Sequence, residues 1–470
     1  MKFQLTQCGL APASLAILLV LMPASQGRSQ PTLREKLGQM VMVTVTGDSV
    51  EERNPSMDTL KLDLARGLVG GLVMFTWSDN LMSPNQIAYL TSELQRRATV
   101  PLLIAVDQEG GRVARLGAAN GFAATPSAYQ MGTVMNQETY TRSAAATMAG
   151  WFAQTGLNID LAPVVDVNVN PSSPAIGALG RSFSANPELV AVHARWFIDE
   201  FHKRNVLTVL KHYPGHGSAT GDSHTGFTDV TDTWSSDELI PYSRLITLES
   251  VDAVMTAHVF NSTIDSVYPA TLSAPTISGL LRGELGFQGV VMSDAMGMNA
   301  ITNLYGQDQA MELAVRAGVD MLLYTTNLDS TGKSLPFHIV GVLERAVMEG
   351  RITPGRIDSS YTRIRSLKNR ITTGVASLWS DILPDKLSLA NYPNPFNPAT
   401  TIRFDIPRGA IVSLEVFNIL GARVATLVNE YLPAGGHRTE FNASGLASGV
   451  YFCRLQSEGS VQTIRLMVLK

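Results

Sequence analysis

Between Lys211 and His224 the chain crowds one lysine, three histidines and an aspartate into a single loop: Lys211-His212-Tyr213-Pro214-Gly215-His216-Gly217-Ser218-Ala219-Thr220-Gly221-Asp222-Ser223-His224. The preceding residues, Val206–Leu210, are apolar and rich in branched side chains, as a central parallel strand requires, so Lys211 is expected where the strand leaves its sheet. Pro214, Gly215, Gly217 and Gly221 let the backbone turn back over that point, and the segment reads as an active-site loop. In Asp222-Ser223-His224 the carboxylate stands close enough to orient the imidazole and support its charged form. An imidazole with an unperturbed pKa of about 6.5 can both give and take a proton near neutrality, which is what a general acid/base must do. His212, His216, Asp222 and His224 could instead ligate a metal, but their spacing matches no standard zinc motif, and neither metal nor cofactor is expected.

A second acid, Asp294 in Val291-Met292-Ser293-Asp294-Ala295-Met296-Gly297-Met298, follows an apolar run and precedes small residues that allow a ligand to approach. Such a carboxylate can attack an electrophilic carbon, or it can cap a following helix; the surrounding groups favour the nucleophile. In Asp107-Gln108-Glu109-Gly110-Gly111-Arg112-Val113-Ala114-Arg115, Asp107 can accept hydrogen bonds from sugar hydroxyls and Arg115 can donate them. A buried Asp–Arg pair shaping the loop is the competing reading, better suited to Arg112 than to Asp107. Arg181, in Gly180-Arg181-Ser182-Phe183, is either a further donor or a surface charge, and Trp196 and the methionines read as core.

These residues need a scaffold that brings them to one place. From about Leu33 to Ala376 short apolar runs alternate with helical segments, the pattern of a parallel α/β fold. Strands are expected at Met40–Val45, Gly67–Phe75, Pro101–Val106, Asn158–Val165, Val206–Leu210, Ala253–Thr256, Gly289–Met292 and Asp320–Tyr324, and eight of them suggest a TIM-type (β/α)8 barrel. Helices are expected at Asn85–Arg97, from Asn186-Pro187-Glu188 to Arg204, and at Ser236–Thr247, Ser273–Leu285 and Gln307–Ala317. A barrel places catalytic groups at the C-terminal strand ends, and Asp107, Asp166, Lys211, His212, His258 and Asp294 all fall there. Beyond Thr373 the composition changes. The turn-dense Asn391-Tyr392-Pro393-Asn394-Pro395-Phe396-Asn397-Pro398 leads into alternating runs at Thr401–Ile406, Ile411–Phe417, Arg423–Val428, Arg438–Phe441, Val450–Leu455 and Thr463–Leu469, a small all-β, immunoglobulin-like sandwich assigned to attachment or sorting.

The 470 residues, 45% hydrophobic and 16% charged, can bury a large core in two or three domains. A net charge of -4 carries no basic excess, which argues against nucleic acid as a partner. Lys2, an apolar run from Leu10 to Met22, and the small residues Ala24, Ser25 and Gly27 before Arg28 form a secretory signal peptide over 1–27. The run is shorter than the ~20 residues of a spanning helix, so no membrane span is expected after cleavage. Cys8 precedes the run, where a lipid anchor would be misplaced, and only Cys453 would remain, so the mature chain folds without an internal disulfide. The expected organisation is therefore 1–27 signal peptide, 28–376 catalytic barrel, 377–388 linker and 389–470 sandwich.

Taken together, the segments resemble glycoside hydrolase family 3, and within it the β-N-acetylhexosaminidase branch. The resemblance rests on Val106-Asp107-Gln108-Glu109-Gly110-Gly111-Arg112-Val113, Leu161-Ala162-Pro163-Val164-Val165-Asp166-Val167, Arg181-Ser182-Phe183, Lys211-His212-Tyr213-Pro214-Gly215-His216-Gly217, Asp222-Ser223-His224 and Ser293-Asp294, in family order across roughly Leu33 to Ala376. It implies Asp294 as nucleophile in a retaining mechanism, His224 as acid/base oriented by Asp222, and Asp107, Arg115, Arg181, Lys211 and His212 as ligands of a terminal N-acetylglucosamine. Tyr213 departs from the family's usual phenylalanine. The tail, through Tyr392-Pro393-Asn394-Pro395-Phe396-Asn397-Pro398, Gly449-Val450-Tyr451 and Lys470, resembles the sorting domain of type IX secretion substrates, which implies that machinery as a partner and release or attachment at the outer surface. The implied activity is exo-β-N-acetylglucosaminidase acting on a peptidoglycan fragment or a chitin oligomer. The alternatives are phosphorolysis on the same fold, a family 3 β-glucosidase, and a non-catalytic surface lectin; the set Asp294, His224 and Asp222 argues against the last, since a pure binder has no need of a nucleophile.

Overall fold

The computed structural model describes residues 31–223, 225–381, 387–406, 410–432, 435–457 and 459–469. The expected signal peptide, His224, part of the expected linker and Lys470 lie outside the described residues.

Eight strands form the barrel: β1 (Val41–Val43), β2 (Gly71–Val73), β3 (Leu103–Val106), β4 (Ile159–Asp160), β5 (Leu207–Tyr213), β6 (Ala253–Thr256), β7 (Val290–Ala295) and β8 (Met321–Leu323). They close in the order β1-β8-β7-β6-β5-β4-β3-β2, every pair parallel, each strand beside its neighbours in the chain. Because such strands are covered by helices outside and packed side chains inside, they carry unbroken apolar runs, and Val41, Ile104, Val209, Val254 and Val291 are all fully buried.

The helices start where local chemistry tells them to. Asn54, Ser83 and Asn186 each accept a backbone N–H of the first turn, and Pro55, Pro84 and Pro187 follow with φ already set and no N–H to lose. Helix Pro187–His202 matches its expected start, and helix Pro354–Asp381 runs into the stretch read as linker.

Strand lengths differ from expectation where backbone partners or charge compensation decide. β2 and β4 are shorter than their apolar runs; beyond Asp160 the chain stays beside β5 through a bridge between Val164 and Lys211 and the hydrogen bonds of Val209 N–H to the Ala162 carbonyl and Val165 N–H to the Lys211 carbonyl. β5 runs on through Lys211, His212 and Tyr213, so the lysine and histidine lie within the strand rather than past it. β7 likewise includes Asp294, with its register against β8 shifting between Met292 and Ala295.

The C-terminal part has two antiparallel sheets. Ser388–Tyr392, Ala399–Ile406 and Gly435–Asn442 form one; Arg423–Leu432, Ala410–Phe417, Gly449–Ser457 and Ser460–Val468 form the other. Alternation puts Val412, Leu414 and Val416 into the shared core with Ile402, Phe404, Cys453, Leu455 and Leu466. The strand Ser388–Tyr392 runs into the first two residues of the stretch read as turns, Asn391–Pro398, and Phe396 is buried with its N–H donated to the Met467 carbonyl. Among the described residues no helix is long and apolar enough to cross a membrane.

Candidate active site

Asp107 stands at the open end of the barrel, immediately after β3. Its backbone continues into a hairpin, Gln108–Gly110 against Val113–Ala114, whose turn uses Gly110 and Gly111 at φ values of +89° and +63°. The glycines therefore build the turn that returns Arg115 toward Asp107, with Arg115 Nη2 3.9 Å from Asp107 Oδ2. Arg112, read as the partner in a buried pair, is exposed.

Lys211 Nζ lies 2.7 Å from Asp107 Oδ1 and 2.7 Å from Glu109 Oε1, with its side chain only 2% exposed. Burial lowers the pKa of an ammonium, but the two carboxylates outweigh it and hold Lys211 above its usual value. This compensation is why a lysine can sit within a barrel strand. Glu109 is shared: Arg181 donates to it through Nε (2.7 Å to Oε2) and Nη2 (2.7 Å to Oε1). Burial opposes the charge of Glu109, yet Arg181 and Lys211 keep it well below the ordinary carboxylate range, and Glu109 in turn raises Arg181 against the cost of burial. Arg181 is thus no surface charge.

Arg181 Nη2 also lies 3.2 Å from His212 Nε2. A guanidinium has only donors, so Nε2 accepts and the ring proton sits on Nδ1, 2.7 Å from Asp166 Oδ2. Asp166 additionally takes the backbone N–H groups of His212 and His216, at 3.2 and 2.8 Å to Oδ1. Burial raises the carboxyl of Asp166, but His212 and the His216 N–H more than offset this and leave it below its usual value. Asp107, Lys211, Glu109, Arg181, His212 and Asp166 form one connected polar floor drawn from the ends of β3, β4 and β5 and the loop bearing Arg181.

The loop after β5 folds over this floor and is tied down at several points. A Cβ on Gly217 would run into the Val167 carbonyl, and one on Gly215, at φ +127°, would meet the Glu238 side chain 2.6 Å away. Glu238 takes the Gly217 N–H at 2.9 Å, Trp234 Nε1 donates to the Pro214 carbonyl at 3.1 Å, and His216 Nε2 meets Ser223 Oγ at 3.1 Å. Burial pushes the Glu238 carboxyl up to about 7, and burial beside His212 lowers the His216 imidazole. Asp222 turns the loop, its carbonyl taking the N–H groups of Thr225 and Gly226. His224, the expected acid/base, lies outside the described residues, so its pairing with Asp222 is not described.

Across the barrel, in a ring of eight where β7 is opposite β3, stands Asp294. Its Oδ1 takes the N–H of Ala295 at 2.7 Å, while the next helix, Asn299–Thr302, is preceded by Met298 at its cap. Asp294 therefore does not cap that helix. His258 after β6 contacts the Ala295 carbonyl through Nε2 at 3.0 Å and Thr271 Oγ1 through Nδ1 at 2.7 Å. Among the described residues no group of three or more His, Cys, Asp or Glu side chains is placed to hold a metal.

Four contributors were not given roles from the sequence. Glu109 and Asp166 lay in quoted motifs, and acids that must sit beside buried cations were the available signal. Glu238, 21 residues past Gly217 and its neighbour only in space, and Trp77 had no local signal. Trp77 stacks on Phe75 with ring centroids 4.1 Å apart, and the Arg115 guanidinium lies 5.0 Å from the Trp77 ring.

Comparison with known proteins identifies the family of both parts of the chain. The glycosyl hydrolase family 3 N-terminal domain matches residues 32–367, and the secretion system C-terminal sorting domain matches residues 390–469. The chain is 32% identical to β-hexosaminidase A of Pseudoalteromonas piscicida over 378 residues, 74% of this chain and 62% of that one. It is 31% identical to β-hexosaminidase LpqI of Mycobacterium tuberculosis, covering 77% of this chain and 90% of the relative. The solved structure of a family 3 β-N-acetylglucosaminidase from Paenibacillus sp. FPU-7 superposes with a TM-score of 0.66 at 37% identity, over 73% of this chain and 63% of that one. The chain thus spans less than two thirds of the length of the Pseudoalteromonas and Paenibacillus proteins. The sorting domain marks the protein as secreted or held at the outer cell surface. With its closed barrel and the matched residues 32–367, the chain belongs to glycoside hydrolase family 3.

Proposed function

We propose that the protein is an exported, retaining exo-β-N-acetylglucosaminidase that releases terminal β-linked N-acetylglucosamine from a peptidoglycan fragment or chitin oligomer, delivered by type IX secretion after removal of residues 1–27. The observation that carries this reading is the polar floor from Asp107 to Asp166 at the open barrel end, on the side opposite Asp294. The β-hexosaminidase names of the relatives support the choice of sugar.

In this reading Asp107, Arg115, Arg181, Lys211 and His212 hold the terminal sugar. An oxygen of Asp294 attacks its anomeric carbon as the bond to the leaving oxygen breaks, and His224, oriented by Asp222, gives that oxygen its proton. His224 then takes a proton from water, whose oxygen attacks the same carbon and breaks the bond to Asp294. Two displacements return the original configuration. The buried Asp166 fixes the tautomer of His212 so that Nε2 faces Arg181 and the site.

The test is release of a chromogenic phenol from its β-N-acetylglucosaminide and its β-glucoside, with and without phosphate. Wild type is expected to prefer the acetamido sugar without phosphate dependence, and Asp294→Asn and His224→Ala to lose at least about 10³-fold in kcat. A folded wild type that turns over neither sugar overturns the hydrolase reading; a preference for glucoside overturns the sugar, and a sugar 1-phosphate product overturns hydrolysis.

A further inference from the structure

Phe227 is 52% exposed, on the loop that carries His224, and its ring centroid lies 5.3 Å from that of Phe260 at an interplanar angle of 41°. It is held in place by backbone. The next two residues, Thr228–Asp229, pair in parallel with Val259–Phe260, and the Val230 N–H donates to the Phe260 carbonyl at 2.9 Å. Beneath this ribbon Ala219, Val230, Ala257, Val259 and Ala270 make a small apolar core of their own, so Phe227 is not needed to fill it. Phe260 stands two residues beyond His258, which contacts the carbonyl of Ala295, the neighbour of Asp294. The aromatic pair thus sits on the segment that joins, through backbone pairing, the loop expected to supply the acid/base to the stretch after β6 whose His258 contacts β7 beside Asp294.

That position has a chemical meaning, given the glycosidase reading of the same site, on which this inference rests. The acid/base must reach the oxygen of the bond being cut, so whatever leaves with that oxygen departs on the side of its loop. An exposed ring there loses water from its face only if an apolar surface covers it. A hexopyranose offers such a surface, a face of C–H groups ringed by equatorial hydroxyls. We propose that Phe227, seated on Phe260, forms the leaving-group subsite and stacks the hexopyranose ring that departs, which makes the enzyme selective for glycans over simple alkyl glycosides.

The experiment compares two substrates that both need protonation of the leaving oxygen and differ in whether a ring leaves: N,N′-diacetylchitobiose and methyl β-N-acetylglucosaminide. With the full-length protein, the ratio of their kcat/KM values should fall about tenfold in Phe227→Ala and return toward wild type in Phe227→Trp, since either aromatic face can stack a sugar. An unchanged ratio in Phe227→Ala overturns the proposal. So does an equal loss on both substrates, which would make Phe227 a residue that positions the loop, and so does failure of Phe227→Trp to restore the ratio. If wild type cleaves neither substrate, the glycosidase reading itself fails, and that outcome is distinct from a wild type that cleaves both without preference.

Discussion

Arg181 grips Glu109 through two parallel hydrogen bonds of 2.7 Å, and the same carboxylate also receives Lys211. One buried acid thus pairs with two buried cations that arrive from different elements, Asp107 supplying the second negative charge.

Glu109→Gln keeps the shape and removes the charge, leaving Arg181 without its carboxylate and Lys211 with Asp107 alone. Breaking a buried ion pair from one side typically costs about 3–5 kcal/mol, so urea unfolding should show a loss of that order, with activity falling as well. A loss below about 1 kcal/mol, the range of exposed pairs, would mean that the cluster is wet rather than buried.

Glu238 gives a pH signature. Its folded carboxyl titrates near 7 because of burial, above the unfolded value near 4.5, so the fold binds more protons than the unfolded chain between those values. The stability it contributes is present below about pH 4.5 and lost as pH rises through 7. Relative to Glu238→Gln, wild type should therefore lose about 3 kcal/mol between pH 4.5 and pH 7.5, read from paired denaturation curves. Parallel curves would show that Glu238 ionises as an ordinary surface acid.

Trp77→Ala removes the ring beside which the Arg115 guanidinium lies. An exposed cation–π contact is worth about 0.5–1 kcal/mol, so KM should rise about threefold with kcat little changed. Because Trp77 is 59% exposed, melting temperature should hardly move, and a large drop would assign the ring to the core instead.

Much of the barrel was legible because burial on both faces of a parallel strand leaves an apolar run in the sequence, as in Leu103–Val106 and Ala253–Thr256. Polar residues that remain inside a strand break that pattern. Lys211 and His212 belong to β5, but the groups that make this affordable, Asp107 and Asp166, are 104 and 46 positions away, beyond any local window. The strand Ser388–Tyr392 was hidden for another reason: the prolines that follow it dominate local propensity, while its pairing with Ala399–Ile406 is set by tertiary contact. Within the site, types and strand-end positions pointed to Asp107, Lys211 and Asp294, whereas Glu238 is joined to the Gly217 N–H only by folding.

Cys453 provides a check on the second part of the chain. It is the free cysteine of the described residues, fully buried among Val416, Leu455 and their neighbours, and burial pushes its thiol up to about 12. Since the thiolate is the nucleophile, the native protein should resist alkylation at pH 8 and become labelled only when the sandwich opens. Labelling at the rate of a free thiol would show that this core is not closed.

The floor of the site has few hydrogen-bond donors left to offer. Lys211 has three N–H groups and spends two on Asp107 and Glu109; Arg181 has five and spends four, on Glu109 twice, on the Ala175 carbonyl and on His212. Among the described residues, that leaves one donor from each. In the proposed glycosidase, two fixed donors on a rigid base would match one relative arrangement of neighbouring hydroxyls, so a substrate epimer with one hydroxyl inverted is expected to leave a buried donor unmet and to turn over more slowly, which comparing kcat/KM for the two epimers checks.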